Sequence, residues 1–295
     1  MLMAVAHKQE SDMHSKLAIH PDADFDVGLR NIYNVNHDTI SGKKEIYRKD
    51  TNNGLAVVSS TYKPRSYKKA IDHFNNLILN SNIDTRDVEI RDTVDNNGAV
   101  YLRNWRFNGI KGVKMFDDPK ERSIFEFQFR SSHNQRFAED LIAWSRYLWC
   151  DNGCANNDWS LHVRIKHNTN KNIEMDYQAI DEAVGNFLQG EEEKKKWLEK
   201  SIDLWTVKLL FKTTLALQKD SETKAWYSDI AINTLNALYV KYSARYGHNM
   251  FAVFQTATDW STHVQTKGKI YNVQERRGSR VRDMMTNEIW LDHVN

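Results

Sequence analysis

Apolar and polar positions along the chain keep a period of two over most of the first half and a helical period over the second. From about residue 42 they alternate: Lys43 to Arg48, an Asn52-Asn53-Gly54 turn, then Leu55 to Tyr62, which predicts a hairpin. Ser66 can then cap a helix in which Tyr67, Ile71, Phe74 and Ile78 recur at spacings of four, three and four. That stripe predicts one buried face, with Lys68, Lys69, Asp72 and Asn75 turned away. Strand patterns resume at Val88 and Ile90, cross an Asp95-Asn96-Asn97-Gly98 turn, and continue through Val100 to Phe107 and Ser123 to Arg130. Phe125, Phe127 and Phe129 share one face and require a core. Arg136 to Trp149 fits helix or strand. Trp159, Leu161, Val163 and Ile165 alternate with Ser160, His162, Arg164 and Lys166, so one strand face packs and the other presents polar and cationic groups.

Beyond about residue 173 the strand pattern gives way to helical spacing over Tyr177–Leu188, Trp197–Leu217, Thr223–Tyr246, Met250–His263 and Ser279–His293. The run Glu191-Glu192-Glu193-Lys194-Lys195-Lys196 reads as a solvated helix face with opposite charges three apart. The fold class expected is α+β: an N-terminal, mostly antiparallel sheet with one packed helix, and a C-terminal helical half docked on it. Residues 1–24 have no period and read as a mobile arm, 25–172 as a β-rich domain and 173–295 as a helical domain.

Composition narrows the function. The chain has 295 residues, 40% hydrophobic and 27% charged, which suits a folded protein rather than a disordered one. Apolar runs such as Leu209-Leu210-Phe211 fall far short of the ~20 residues of a membrane span. With only Cys150 and Cys154 there is no disulfide framework, so a cytoplasmic location is expected, that of a host cell if the chain is phage-encoded. A net charge of +2 supplies no global basic field, so any polyanion site has to be local.

Three local clusters qualify. The first is Tyr62-Lys63-Pro64-Arg65-Ser66-Tyr67-Lys68-Lys69, where Lys63, Arg65, Lys68 and Lys69 surround a helix start whose N–H groups favour phosphate and where Tyr67 could stack on a base. The alternative is a solubilising turn with Tyr67 packed inward. The second joins Arg103, Arg106, Arg130, Arg136, Arg164 and Lys166 on or beside predicted strands, lined into a groove along a phosphate backbone. Its alternative is a scatter of arginines paired with Glu126 or Glu139. The third is Arg276, Arg277, Arg280 and Arg282, preceded by Lys267 and Lys269, at a helix expected to start after Gly278-Ser279; a loop bridging to a neighbouring subunit explains it as well.

Metal and catalytic chemistry find less. Cys150, Cys154, His162 and His167 offer four zinc donors, but the seven-residue gap before His162 is shorter than the roughly twelve or more of common zinc modules. Two reduced thiols in a turn are expected instead, with no metal and no cofactor. The phosphate-binding Gly-Lys loop, the dinucleotide glycine fingerprint, the Gly-x-Ser-x-Gly elbow and His-Glu-x-x-His are all missing. A hydrolytic site built from His133, His162, His167 and His263 beside Asp140, Asp158 and Asp259 would leave no trace in spacing.

Several segments resemble a phage and plasmid family known as domain of unknown function nine-three-two. They are Gly54-Leu55-Ala56-Val57-Val58 through Tyr67, Arg130-Ser131-Ser132-His133-Asn134, Cys150-Asp151-Asn152-Gly153, His167-Asn168-Thr169-Asn170, Tyr246-Gly247-His248-Asn249 and Ala257-Thr258-Asp259-Trp260 with His263. The likeness runs in order over roughly residues 45–290. Departures are Gln255-Thr256-Ala257-Thr258 in place of Asn-Ala-Val-Thr, and Cys154 where a Leu is expected. The resemblance implies association with replication, recombination and anti-restriction functions on mobile DNA, and brings no catalytic residues. The order of hairpin, helix and basic-faced antiparallel sheet is also similar to the Rad-fifty-two type of single-strand annealing proteins, which hold single-stranded DNA in a basic groove as rings or filaments. The function expected is therefore an oligomeric single-stranded-DNA-binding protein, with strand annealing as its extension. A phage nucleic-acid or nucleotide-processing enzyme and a structural or host-takeover interaction protein remain the alternatives.

Overall fold

The structure is a computed structural model that describes residues 17–112, 123–147, 152–154, 161–167, 177–219, 225–263 and 270–295. The chain forms two compact units, one from Met1–Lys111, Phe125–Trp144 and Trp159–Gly185, the other from Gly112–Ile124, Ser145–Asp158 and Asn186–Asn295. Most of the aperiodic N-terminal arm lies outside the described residues. Its last part is packed: Leu17, Ile19 and Ala23 are buried, and Pro21–Ala23 form a 3-10 turn.

The β-rich unit begins with a three-stranded antiparallel sheet of β1 (Val27–Tyr33), β2 (Thr39–Arg48) and β3 (Gly54–Ser59), in that order. The expected hairpin is β2–β3, turned at Asn52, whose φ of 59° a short polar side chain tolerates. Helix α1 (Tyr67–Asn80) follows and buries Tyr67, Ile71, Phe74 and Ile78 as its spacing predicts. Asn75 departs from expectation. It is buried, donating from Nδ2 to the Leu17 carbonyl and accepting from Trp105 Nε1, because the packed segment at Leu17 covers that side of the helix.

A larger sheet has the order β4 (Val88–Asp95), β5 (Val100–Lys111), β6 (Ser123–Ser132), β7 (Glu139–Tyr147) and β8 (Asn152–Cys154), with β9 (His162–Ile165) also pairing β7. The ambiguous segment 136–149 is thus a strand over Glu139–Tyr147. The β4–β5 turn needs Gly98, whose φ is 91° and whose absent Cβ would meet the Phe25 ring at 2.5 Å. Phe125, Phe127 and Phe129 are fully buried, with Phe107 and Phe74 in ring contact.

Helix α2 (Tyr177–Lys196) bridges the boundary between the units in sequence. In the helical unit its acidic-basic run is only partly solvated. Glu192, Lys195 and Lys196 are exposed, but Glu191 and Lys194 form a buried ion pair, and the Lys194 ammonium lies 5.7 Å from the Phe254 ring centre. The expected helix 197–217 is shorter: Asp203 caps α3 (Leu204–Leu210), which runs into a π turn at Phe211–Leu215. A two-stranded ribbon, β10 (Leu217–Lys219) with β11 (Ala225–Tyr227), interrupts the predicted helical run, because three-residue strands are too short to show a period. Ser228 then caps α4 (Asp229–Tyr246), and Asn249 caps α5 (Met250–Thr262). Residues 250 to 261 of α5 are all buried, at the centre of a cluster that includes Trp197, Phe211, Tyr242 and Trp290. The last predicted helix is two, α6 (Ile270–Met285) and α7 (Glu288–Val294), separated at the Asn287 cap.

Candidate nucleic-acid interface

The basic turn forms as expected, with different roles for its members. Lys63, Lys68 and Lys69 are exposed, Lys68 lying 3.8 Å from Asp24. Ser66 takes an extended backbone conformation at the helix start without spending its hydroxyl on a cap. Arg65 turns inward and donates from Nε to Glu139 at 3.0 Å. Tyr67 is a core residue rather than a base platform. Its hydroxyl donates to the Ala99 carbonyl, and its ring stacks on His133 with centroids 4.3 Å apart.

A hundred residues later in the chain, β9 meets this turn. The Lys63 N–H donates to the His167 carbonyl, just past Lys166. Strand β9 pairs with β7 so that Arg164 stands opposite Asp140. Asp140 is completely buried and accepts from Arg164 Nε at 2.6 Å, Arg130 Nε at 2.8 Å and, at 3.3 Å, from His162 Nε2 when that nitrogen carries a proton. Burial alone would raise the Asp140 carboxyl, but the hydrogen bonds from His162 and Arg164 and the charges of both arginines hold it down at about 2. Arg130 and Arg136 both lie over the Phe137 ring, at 5.2 and 5.5 Å. Arg130, Arg136, Arg164 and Lys166 therefore gather at one place beside the basic turn, with Arg164 and Lys166 exposed on the polar parity of β9.

The other members of the second cluster do not join them. Arg103 is 1% exposed, holds Asp92 through Nε and Nη2 at 2.7 Å each, and donates to the Leu17 and Ala18 carbonyls. Arg106 is buried against Glu126 and Glu89. Neither guanidinium reaches an outer face, because a carboxylate stands across the strand pair from each: Asp92 opposite Arg103 and Glu89 opposite Arg106. The C-terminal arginines lie inside α6, not at its start, so no helix N-terminus serves them. Arg277 donates to the Trp260 carbonyl near the end of α5 and stacks over the Trp260 ring, and Arg280 donates to the Leu215 carbonyl at the end of the π turn. Both close helix ends, where carbonyls lack partners and the dipole favours a cation. Arg276 is exposed and Arg282 half-buried on the same helix; Lys267 and Lys269 lie outside the described residues.

Beneath the turn sits a buried polar layer that spacing did not reveal. Tyr62 stacks on His167 with centroids 5.1 Å apart, beside the Tyr67–His133 stack. His73 Nε2, His133 Nδ1, His167 Nδ1 and Glu139 Oε1 are buried without hydrogen-bond partners. Burial, with His167 nearby, lowers His133 to about 3; burial and the Arg65 charge lower His167 to about 4. Burial raises the Glu139 carboxyl against the pull of Arg65. The one sequence signal for this layer was Glu139-Asp140 ahead of Leu141-Ile142-Ala143, two carboxylates on opposite faces of an otherwise apolar strand.

Among the described residues, no group of three or more His, Cys, Asp or Glu side chains could hold a metal ion. Cys150 and Asp158 lie outside those residues; His162 is bonded to Asp140, and His167 is stacked on Tyr62. Asp259 and His263 do meet, at 3.5 Å in the helical unit, where Asp259 also accepts from Tyr242 and Lys241. Among the described residues no helix is long and apolar enough to cross a membrane.

Fold and site together define an α+β protein that places an exposed cationic edge above paired, buried carboxylates. The chain belongs to the family described as Domain of unknown function (DUF932), whose model matches residues 54–290. No curated protein and no solved structure matches it.

Proposed function

We propose that this chain binds single-stranded DNA along the edge formed by Lys63, Lys68 and Lys69 of the basic turn, Arg164 of β9 and Lys166 just after it. The observation that carries this reading is the Lys63–His167 main-chain hydrogen bond, which seats two cationic segments a hundred residues apart against each other. Phosphates are held by charge, and no cofactor is needed. Arg65, Arg130 and Arg136 support the edge from behind, while Arg103, Arg106, Tyr67, Arg277 and Arg280 belong to the fold. Annealing of a second strand is the extension of this activity.

The test is a pair of charge reversals, Lys68→Glu with Lys69→Glu and Arg164→Glu with Lys166→Glu, titrated with labelled single-stranded DNA at several salt concentrations. Each pair is expected to weaken binding across all sequences and to lower the salt slope by about 0.7 for every phosphate no longer engaged. A cooperative thermal melt confirms that each variant folds; the Arg164 pair is expected to melt lower, because a glutamate then stands opposite the buried Asp140. Parent-like affinity and slope in both folded variants would sink the reading.

Self-association into a ring or filament is part of the same proposal, and the β1–β2 tip is its best-placed surface. Tyr33, Val35 and Ile40 are exposed there, Val35 at 95%, on a turn fixed by hydrogen bonds between Asn34 and Asp38. Val35→Glu is expected to shift light-scattering mass toward the monomer without altering the melt. A parent that is strictly monomeric at micromolar concentration, with and without DNA, would remove the assembly.

A further inference from the structure

Charge alone does not require the arrangement around Asp140. A face that merely attracts phosphate gains nothing from a buried carboxylate, which subtracts a charge and costs desolvation. Asp140 nevertheless has no exposure and takes the Nε of two arginines from different strands, Arg130 of β6 and Arg164 of β9, at 2.8 and 2.6 Å, with Arg164 Nη2 at 3.2 Å from its second oxygen. Held through Nε and one Nη, the Arg164 guanidinium has its plane and direction fixed while its side chain stays 45% exposed. Arg130 is confined further by the Phe137 ring.

We infer that Asp140 is a positioning residue of the DNA-binding edge: anchored from behind by Arg130, it orients the Arg164 guanidinium plane so that a phosphate meets a preset fork rather than a mobile cation. The inference rests on the single-stranded-DNA reading and adds to it that binding depends on guanidinium geometry at this point, not only on charge. His162 shares the same carboxylate, at 3.3 Å from its Oδ1.

Charge and positioning predict opposite signs. Asp140→Asn keeps the side-chain shape and makes the edge more positive by one unit. Attraction by charge alone then gives tighter binding and a steeper salt slope. Positioning gives the reverse: about tenfold weaker binding, with a slope lower by roughly 0.7 because one phosphate is no longer engaged. Because the buried substitution risks the fold, Arg164→Lys serves as the second variant. It keeps the charge on a half-exposed side chain but lacks the planar fork, so it is expected to bind several-fold more weakly while still melting cooperatively. If Arg164→Lys binds like the parent, or folded Asp140→Asn binds as well or better, the positioning role is overturned. Both failures leave the DNA reading standing if Arg164→Glu with Lys166→Glu still weakens binding. A parent that does not bind single-stranded DNA overturns reading and inference together.

Discussion

Arg103→Ala is expected to unfold the β-rich unit rather than to weaken a DNA interface. The guanidinium is 1% exposed, bonded twice to Asp92 and to two carbonyls of the packed N-terminal segment. Burial would lower its affinity for the proton, but the hydrogen bonds and charge of Asp92 together with the neighbouring Tyr101 more than compensate, so it stays charged. Removing it strips the Asp92 carboxylate of both guanidinium bonds, leaving it the Tyr101 hydroxyl, and takes the guanidinium donors from the Leu17 and Ala18 carbonyls. Breaking one side of a buried pair costs about 3–5 kcal/mol, a large part of the ~5–15 kcal/mol that holds a typical domain together. Urea unfolding measures it directly, and Asp92→Asn with Arg103→Met should recover part of the stability by removing both charges. An Arg103→Ala protein with parental stability and weakened DNA binding would return Arg103 to the interface.

Stability should also fall steeply as the medium is acidified from pH 7 to 5. His133 and His167 sit near 3 and 4 when folded, against about 6.5 in an unfolded chain. Below about 6.5 the unfolded chain takes up protons that the folded one refuses, so stability present at neutral pH is lost as the pH drops toward those folded values. Each group contributes up to about 1.4 kcal/mol per pH unit across its window. Glu139 acts in the opposite sense: its raised carboxyl binds a proton more readily in the folded state and returns some stability at the acid end. Asp140, held at about 2, adds a further loss only below about 3.8. Denaturation midpoints at pH 7, 6 and 5 test this, with His133→Gln expected to flatten the curve. Equal unfolding free energies at pH 7 and pH 5 would refute it.

Period and turn chemistry made most of the β-rich half legible. The Asn52-Asn53-Gly54 hairpin, the α1 stripe and the alternating parity of β9 all follow from local pattern. The roles of the arginines did not, although part of the information was present. The Asp95–Gly98 turn fixes a register in which paired residue numbers sum to 195, and that arithmetic alone sets Asp92 against Arg103 and Glu89 against Arg106. Reading cations without their cross-strand partners overstated the basic face. The Asp140–Arg164 pair was beyond such arithmetic, since no tight turn ties β7 to β9. Nor does sequence show that Lys63 reaches His167, because that hydrogen bond depends on tertiary packing. In the helical half, one buried Glu–Lys pair inside a charge run, a three-residue ribbon and a π turn are too local to alter a period averaged over many residues.

Helix α5 carries a consequence for how freely the chain can diverge. From Met250 to Ser261 no residue faces solvent, and its hydroxyls at Thr256, Thr258 and Ser261 return to carbonyls of their own helix. An amphipathic helix has an outer stripe on which substitutions accumulate at little cost, and α5 has none. Twelve consecutive positions must therefore change, if at all, together with the neighbours they touch, while α4 keeps exposed sites such as Ile230 and Val240 where single replacements pass unnoticed. Sequence drift in this unit is thus channelled around a fixed axis, and relatives that differ widely on the surrounding helices should still be recognisable along this one segment.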